Sequence, residues 1–126
     1  MEVNNQVVEF VLEFNQRPWT TNKERSQNRH RRAEMTKMWR DAFHFLAKAQ
    51  RIPSMKWITV TAYPHQKAGR MQDVGGCMPA VKAAVDGLVD AGVLPDDSSE
   101  YVRSLIFLPP KKGKDSLVLT IKGELV

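Results

Sequence analysis

The sequence predicts an α+β fold in which a mixed four-stranded sheet carries two helices on one of its faces. Three observations lead to this prediction. Four short runs are rich in β-branched and aromatic residues, two longer segments repeat apolar residues every three or four positions, and these segments follow the order β-α-β-α-β-β. The chain has 126 residues, of which 42% are hydrophobic, so it is long enough for one core. We therefore expect one domain over residues 1–126.

The first strand and the first helix are predicted by their periodicity. In "VVEFVLEF" (7–14) the residues alternate, which puts Leu12 and its even-numbered neighbours on one side of a strand and Glu9 and Glu13 on the other. From about Arg29 to Gln50 the apolar residues recur at helical spacing, as in an amphipathic helix. Pro53 is expected to prevent the helix from continuing.

The second half of the chain adds one helix and three strands. "KWITVTAY" (56–63) reads as a strand that Pro64 ends. A helix of about thirteen residues follows, with Pro79 in its first turn and Gly92 as its terminator. "YVRSLIFL" (101–108) and "SLVLTI" (116–121) are the last two strands, most simply paired as a hairpin through the loop "PPKKGKD".

Charge is unevenly distributed along the chain, whose net charge is +5. Residues 15–56 contain eleven Lys or Arg and three acids, whereas residues 71–104 contain two basic residues and six acids. A clustered positive charge favours a polyanionic partner, because neutralising phosphates releases counterions. The candidate DNA-binding residues are Arg25, Arg29, Arg31, Arg32, Lys37, Lys67 and Arg70. A solvated helix face and a charged loop would explain the basic stretch equally well.

Several protein classes are disfavoured by the sequence. Cys77 is the single cysteine, so an intrachain disulfide is excluded and no spacing for structural zinc is present. These features favour a reducing cytoplasm. No apolar run approaches the roughly 18 to 20 residues that span a bilayer, and "MEVNNQVVEF" lacks the pattern of a signal peptide. We therefore expect no membrane association and no export.

The segment "VKAAVDGLVDAG" (81–92), followed by "LPDD" (94–97), resembles the RusA-like Holliday junction resolvases. These are small dimeric endonucleases of phages and prophages that cut four-way DNA junctions with magnesium. The order of elements and the chain length are also similar. The resemblance implies a structure-selective endodeoxyribonuclease acting on branched DNA in recombination and repair, and a homodimer.

The resemblance also implies a set of site residues. In the family an Asp-x-Asp-Asn motif precedes the helix, a lysine lies on its first turns and an Asp-Asp pair follows it. Asp73 then corresponds to the first aspartate, Lys82 to the lysine, and Asp96 and Asp97 to the pair. The resemblance implies that Asp73, Asp97 and Lys82 are catalytic and that Mg²⁺ is held by Asp73, Asp97 and Asp96. Gly75 and Gly76 stand where the family has its second aspartate and its asparagine.

Each of these residues also has a structural interpretation. Asp96 and Asp97 precede two serines and are typical of a turn. Lys82 lies four residues before Asp86 and is able to pair with it on a helix surface, while Gly75 and Gly76 are able to turn the chain at positive φ. Among other residues, Cys77 is expected to be buried rather than nucleophilic, and Trp19, within a polar stretch, is a candidate for stacking on an unpaired base.

Two functions are consistent with these features. The first is a magnesium-dependent endonuclease that resolves branched DNA. The second is a catalytically weakened or inactive relative that binds DNA or a host protein without cutting, which the absence of the family's second aspartate and asparagine favours. An unrelated small α+β domain is a third possibility.

Overall fold

The computed structural model describes residues 6–126, which form three helices and a mixed five-stranded sheet. The strands are β1 (Val7–Phe14), β2 (Met55–Gln66), β3 (Val102–Phe107), β4 (Lys111–Lys112) and β5 (Ser116–Leu125). The helices are α1 (Thr21–Ser26), α2 (Arg29–Ala49) and α3 (Met78–Asp90). The predicted α+β class with a mixed sheet is confirmed. Residues 1–5, which belong to the segment "MEVNNQVVEF" discussed above, lie outside the described residues.

The sheet has the order β1-β5-β2-β3, and β5 pairs antiparallel with both β1 and β2. β3 pairs parallel with β2, and the short β4 also pairs parallel with β2 through His65 and Gln66. The predicted hairpin of the last two strands is therefore wrong, because β3 and β5 lie on opposite sides of β2. Pro109 and Pro110 follow one residue after β3, and neither has an N–H with which to continue a tight hairpin ladder.

Strand β2 continues through Pro64 to Gln66, so the prediction that Pro64 ends it is also wrong. The backbone of Ala62 faces β3, since its carbonyl accepts a hydrogen bond from the Leu108 N–H at 3.0 Å. Residues two apart in a strand face the same side, so the nitrogen of Pro64 faces the gap between β3 and β4. No ladder hydrogen bond is lost there, which explains why the strand tolerates the proline.

The core lies between one face of the sheet and the two long helices. Every second residue of β2 from Ile58 to Gln66 is buried, while the residues between them are half-buried, as expected for a sheet covered on one side. α2 contributes Met35, Trp39, Phe43 and Ala47 to this core, in agreement with the predicted amphipathic helix. Within residues 6–126 no helix packs on the opposite face, where Val11 and Ile106 are exposed.

Two local features were not expected from the sequence. The polar stretch before α2 forms the short helix α1, which Thr20 caps by accepting a hydrogen bond from the Lys23 N–H. Trp19 is only 6% exposed, packs edge-on against Trp39 and donates its indole N–H to Glu24 at 3.2 Å. The prediction that Trp19 is available to stack on a base is therefore wrong. None of the described helices combines the length and apolar character of a membrane span.

Candidate functional site

Helix α3 carries a row of exposed or half-buried side chains on the side that faces away from the core. Its buried residues, Ala80, Val81, Ala84, Val85 and Leu88 among them, pack onto the core. Met78, Lys82 and Asp86 follow one another at intervals of four residues, so they share one side of the helix. The helix ends at Asp90, and beyond its cap Gly92 has φ of +86° and the Val93 N–H donates to the Leu88 carbonyl. The chain then turns back toward the middle of the helix with residues 94–100.

This return brings Asp97 next to Asp86. Asp86 is half-buried, and its pKa is raised above the ordinary carboxyl value, first by the loss of hydration and then by the neighbouring charge of Asp97. The guanidinium of Arg40 acts in the opposite direction but is held at Asp90, which accepts two hydrogen bonds from it at 2.6 and 2.8 Å. The carboxyl groups of Asp86 and Asp97 are therefore close together.

Lys82 and Asp97 line the same cavity, which has a volume of about 210 Å³. Val85, Val102 and Leu105 give this cavity an apolar floor, and Ser99 completes the lining. Lys82 is exposed, and within residues 6–126 its ammonium group makes no ion pair. The alternative in which Lys82 simply pairs with Asp86 is therefore not seen. The Lys82 ammonium group and the Asp97 carboxyl group thus face one cavity, and Asp86 lies next to Asp97 without lining it.

Asp73 lies elsewhere. It is exposed and lines a second, larger cavity before the N-terminus of α3, together with Arg17 and Arg70 and with no residue in common with the cavity of Asp97. Asp86 is eight residues into α3, about 12 Å along its axis, so the two cavities are at different levels of the helix. The structure brings together Lys82 and Asp97 of the expected residues, adds Asp86, and leaves Asp73 apart.

The two glycines before α3 explain part of this separation. Gly75 has φ of +81°, a conformation that favours glycine, and its carbonyl accepts a hydrogen bond from the Met78 N–H. The Gly76 carbonyl accepts one from the Thr21 N–H, which ties the start of α1 to this loop. Gly75 therefore turns the chain, as one of the two alternatives for it predicted.

Asp96 and Asp97 have different roles although they are adjacent. Asp96 accepts a hydrogen bond from the Ser98 N–H at 2.7 Å, and this bond lowers its pKa below the ordinary value. This is the local turn that the Asp-Ser sequence indicates. Asp97 makes the contact with Asp86 instead.

The carboxyl groups of Asp86 and Asp97 meet only part of what a magnesium site requires. In the described part of the chain, no group of three or more His, Cys, Asp or Glu side chains is arranged to hold a metal ion. Mg²⁺ keeps several of its waters and binds proteins through as few as one or two carboxylates. Asp86 and Asp97 meet that smaller requirement. Asp86 was not among the expected site residues, because its spacing from Lys82 suggested an ordinary ion pair.

The predicted DNA-binding residues form two exposed groups. Arg25, Arg29 and Arg32 lie on α1 and the first turn of α2, and each lacks an acidic partner among the described residues. Arg31 and Lys37 pair with Glu34 and Asp41 on the surface of α2. Such exposed pairs are weak and leave the cations available to phosphates.

The second group lies at the end of β2. Lys67 and Arg70 follow this strand, and β4 adds Lys111 and Lys112 beside His65 and Gln66. All four cations are exposed. This end of the sheet is therefore strongly basic, and Arg70 opens onto the larger cavity.

Comparison with known proteins does not assign the chain to a family. No protein-family model matches it, and no curated protein matches it. Among solved structures, it is similar to part of the thiamine-monophosphate kinase from Stenotrophomonas maltophilia K279a, with 14% identity and a TM-score of 0.41 over 99% of this chain and 33% of the kinase. It is also similar to part of the hydrogenase maturation protein HypE in complex with ATP, with 7% identity and a TM-score of 0.39 over 100% of this chain and 32% of HypE.

Proposed function

We propose that this protein is a magnesium-dependent, structure-selective endodeoxyribonuclease that cuts four-way or branched DNA. The observation that carries this proposal is the contact between Asp86 and Asp97 beside the cavity that Lys82 and Asp97 share. The resemblance of residues 81–97 to the RusA-like resolvases points to the same segment. Asp86 replaces Asp73 as the partner of Asp97 in this proposal, because Asp73 lines a different cavity.

Asp86 and Asp97 are the residues that would hold Mg²⁺. When bound, the ion supplies charge neutralisation at the scissile phosphate and an activated water. Lys82 is placed to orient that phosphate or to give a proton to the leaving oxygen.

The cations of α1 and α2 are proposed to contact the DNA backbone. Arg25, Arg29 and Arg32 are exposed and free of acidic partners within the described chain, so they contribute charge without first breaking an ion pair. Phosphate contacts of this kind give affinity for any DNA shape, and the geometry of the branch would then supply selectivity. The protein would act in the cytoplasm, which is that of the bacterial host if the protein is encoded by a phage.

The uncovered face of the sheet is proposed as the surface of a homodimer. Val11 and Ile106 are 54% and 49% exposed on this face, which also carries Val7. Glu9 and Lys122 are register partners there, so a copy rotated by two-fold symmetry is able to set each charge against its opposite. A dimer would supply the two active sites that paired cuts in a two-fold symmetric junction require.

A second function is favoured by one specific observation. Asp73 lies apart from Asp97, and no third carboxylate joins Asp86 and Asp97 among the described residues. A poorly held metal ion would leave a protein that binds branched DNA, or a host protein, without cutting it. This candidate retains the same basic surface.

Adjacent aspartates provide a matched test of the proposed active site. Asp97→Asn removes the charge that Asp86 contacts, so we expect cleavage of a labelled junction to be lost. Asp96→Asn keeps an oxygen that accepts the Ser98 hydrogen bond, so cleavage should persist. Equal activity of the two variants would contradict the assignment of Asp97.

Ser99→Asp tests the missing carboxylate at the cavity itself. Gly75→Asp is a poor test, because φ of +81° strains any residue with a side chain. Ser99 is exposed and lines the cavity together with Lys82 and Asp97. We expect Ser99→Asp to lower the magnesium concentration required for cleavage, because it adds an anionic oxygen beside Asp97, with Ser99→Asn as the uncharged control.

A further inference from the structure

The larger cavity lies between the start of α1 and the loop that joins β2 to α3. Its volume is about 520 Å³, within the range of small-molecule sites. Arg17 and Thr21 line it from one side, and Gln66, Arg70, Gln72 and Asp73 from the other. The hydrogen bond from the Thr21 N–H to the Gly76 carbonyl, at 3.0 Å, holds the two sides together.

Two guanidinium groups give this cavity a positive charge. Arg17 lies in the loop between β1 and α1, and Arg70 lies in the loop between β2 and α3. Both are exposed, and neither forms an ion pair within the described residues. The Nη2 atom of Arg17 lies near Gly69, 3.6 Å from the position that a Cβ atom would occupy there. Arginine recognises phosphate through two parallel hydrogen bonds, so two arginines facing one cavity with one carboxylate favour an anion.

The two glutamines of the cavity differ in how their hydrogen bonds are satisfied. Gln66 is fully buried, and its amide donates to the Ala68 and Arg70 carbonyls at 2.9 and 2.6 Å, which fixes the loop that carries Arg70. Both polar side-chain atoms of Gln72 are buried without a partner among the described residues. A buried amide without hydrogen bonds is unfavourable, so a bound group is expected to supply them.

We propose that this cavity binds a nucleotide. Arg17 and Arg70 would bind its phosphate, and the donor and acceptor of the Gln72 amide would pair with the edge of its base, as glutamine does with adenine. Asp73 accepts a hydrogen bond from a sugar hydroxyl or a base amino group, neither of which inorganic phosphate offers. The nucleotide is either free or part of a DNA strand, and its binding does not depend on cleavage at Asp86 and Asp97.

The test is a titration of the isotopically labelled protein with four probes, followed by NMR. The probes are inorganic phosphate, deoxyadenosine, dAMP and a short oligodeoxyadenylate. We expect dAMP to shift the signals of residues 17–22 and 70–76 and to bind more tightly than phosphate or the nucleoside. Stronger binding of the oligonucleotide than of dAMP identifies a DNA strand as the source, whereas binding of dAMP alone identifies a free nucleotide.

Variants separate the cavity from general electrostatic attraction. Arg17→Ala should weaken dAMP binding by about tenfold, because a hydrogen bond to a charged group contributes roughly that much, and Arg17→Lys should weaken it less. Gln72→Ala should reduce the preference for dAMP over phosphate. Arg103→Ala removes the same charge from β3, where Arg103 stacks over Trp57 outside the cavity, and should have little effect. Equal binding of phosphate and dAMP, equal losses in Arg17→Ala and Arg103→Ala, or no saturable shifts would overturn the proposal.

Discussion

Asp86 is the residue on which the proposed chemistry depends most. Its raised pKa means that the folded protein holds a proton on Asp86 more tightly than the unfolded chain does. Asp86 therefore favours folding most at pH values below the ordinary carboxyl pKa, and this contribution is lost as the pH rises through its folded pKa. At neutral pH the charged carboxylate is destabilising unless a cation lies beside it.

Asp86→Asn is accordingly expected to increase stability while it removes cleavage. The substitution removes a partly desolvated charge next to Asp97, so we expect the Tm at pH 7 to rise by a few degrees and the difference from the parent to shrink at acidic pH. Thermal unfolding across this pH range measures the effect. A lower Tm at pH 7 together with full cleavage would mean that Asp86 is an ordinary structural residue.

The position of these site residues shows what the sequence alone predicts and what it does not. Lys82 and Asp97 were matched through the resemblance of residues 81–97 to the RusA-like resolvases, and they do share a cavity. The neighbour of Asp97 was not predictable, because it depends on how far the loop after Gly92 returns along the helix. Asp73 was matched by its order in the chain, but the turn at Gly75 places it on another cavity.

At the scale of the elements, prediction succeeded where the signal lies within one segment. α2 and α3 were predicted from apolar spacing, and β1 from its alternation. The predicted hairpin was wrong because strand pairing depends on contacts between residues that are distant in the sequence. In the structure β5 lies between β1 and β2 and pairs with both of them. Pro64 was misread because its effect depends on which strand edge its nitrogen faces.

The contact between α2 and α3 depends on Gly87. A Cβ atom at this position would overlap the Arg40 carbonyl oxygen and lie 2.9 Å from the His44 nitrogen, both of them backbone atoms of α2. Alanine normally stabilises a helix relative to glycine by about 1 kcal/mol. Here we expect Gly87→Ala to destabilise the protein by about 1 to 3 kcal/mol, since the helices must move apart.

Chemical denaturation measures the effect of Gly87→Ala. Ala33→Gly, at an exposed position of α2, is the reference for ordinary helix propensity and should cost about 1 kcal/mol. An increase in stability for Gly87→Ala would show that the two helices are not in close contact at this point.

The basic surface of α1 and α2 gives a second prediction at this scale. Replacing Arg25, Arg29 and Arg32 together with alanine should weaken binding to all DNA shapes and reduce the slope of log K against log salt by about one unit for each lost phosphate contact. Fluorescence anisotropy at several salt concentrations measures this slope. Arg103→Ala is the control, because this arginine stacks over Trp57 on another part of the molecule. An unchanged slope in the triple variant would remove this surface from the interface.

At the scale of the whole molecule, the proposed homodimer uses the uncovered sheet face. Replacing Val11 and Ile106 with lysine introduces like charges where the two copies would meet, so the dimer should dissociate to monomers without loss of the fold. Light scattering at tens of micromolar protein, with and without junction DNA, measures the mass. A monomeric parent under both conditions would contradict the dimer.

The loss of the dimer should also change the pattern of cutting. A monomer has one active site, so the Val11 and Ile106 variant should nick one strand of a junction rather than two opposite strands. Binding to linear duplex DNA through α1 and α2 should decrease less. This combination separates a defect in assembly from a defect in DNA binding.

The most direct test of the proposed function is incubation of the protein with a synthetic four-way junction, with and without Mg²⁺, and separation of the labelled strands. We expect symmetric nicks on opposite strands near the branch in the presence of Mg²⁺, none after its removal, and none in Asp97→Asn. Tight binding of the junction by the parent protein without any nick at any Mg²⁺ concentration would contradict the nuclease and leave a DNA-binding protein that does not cut.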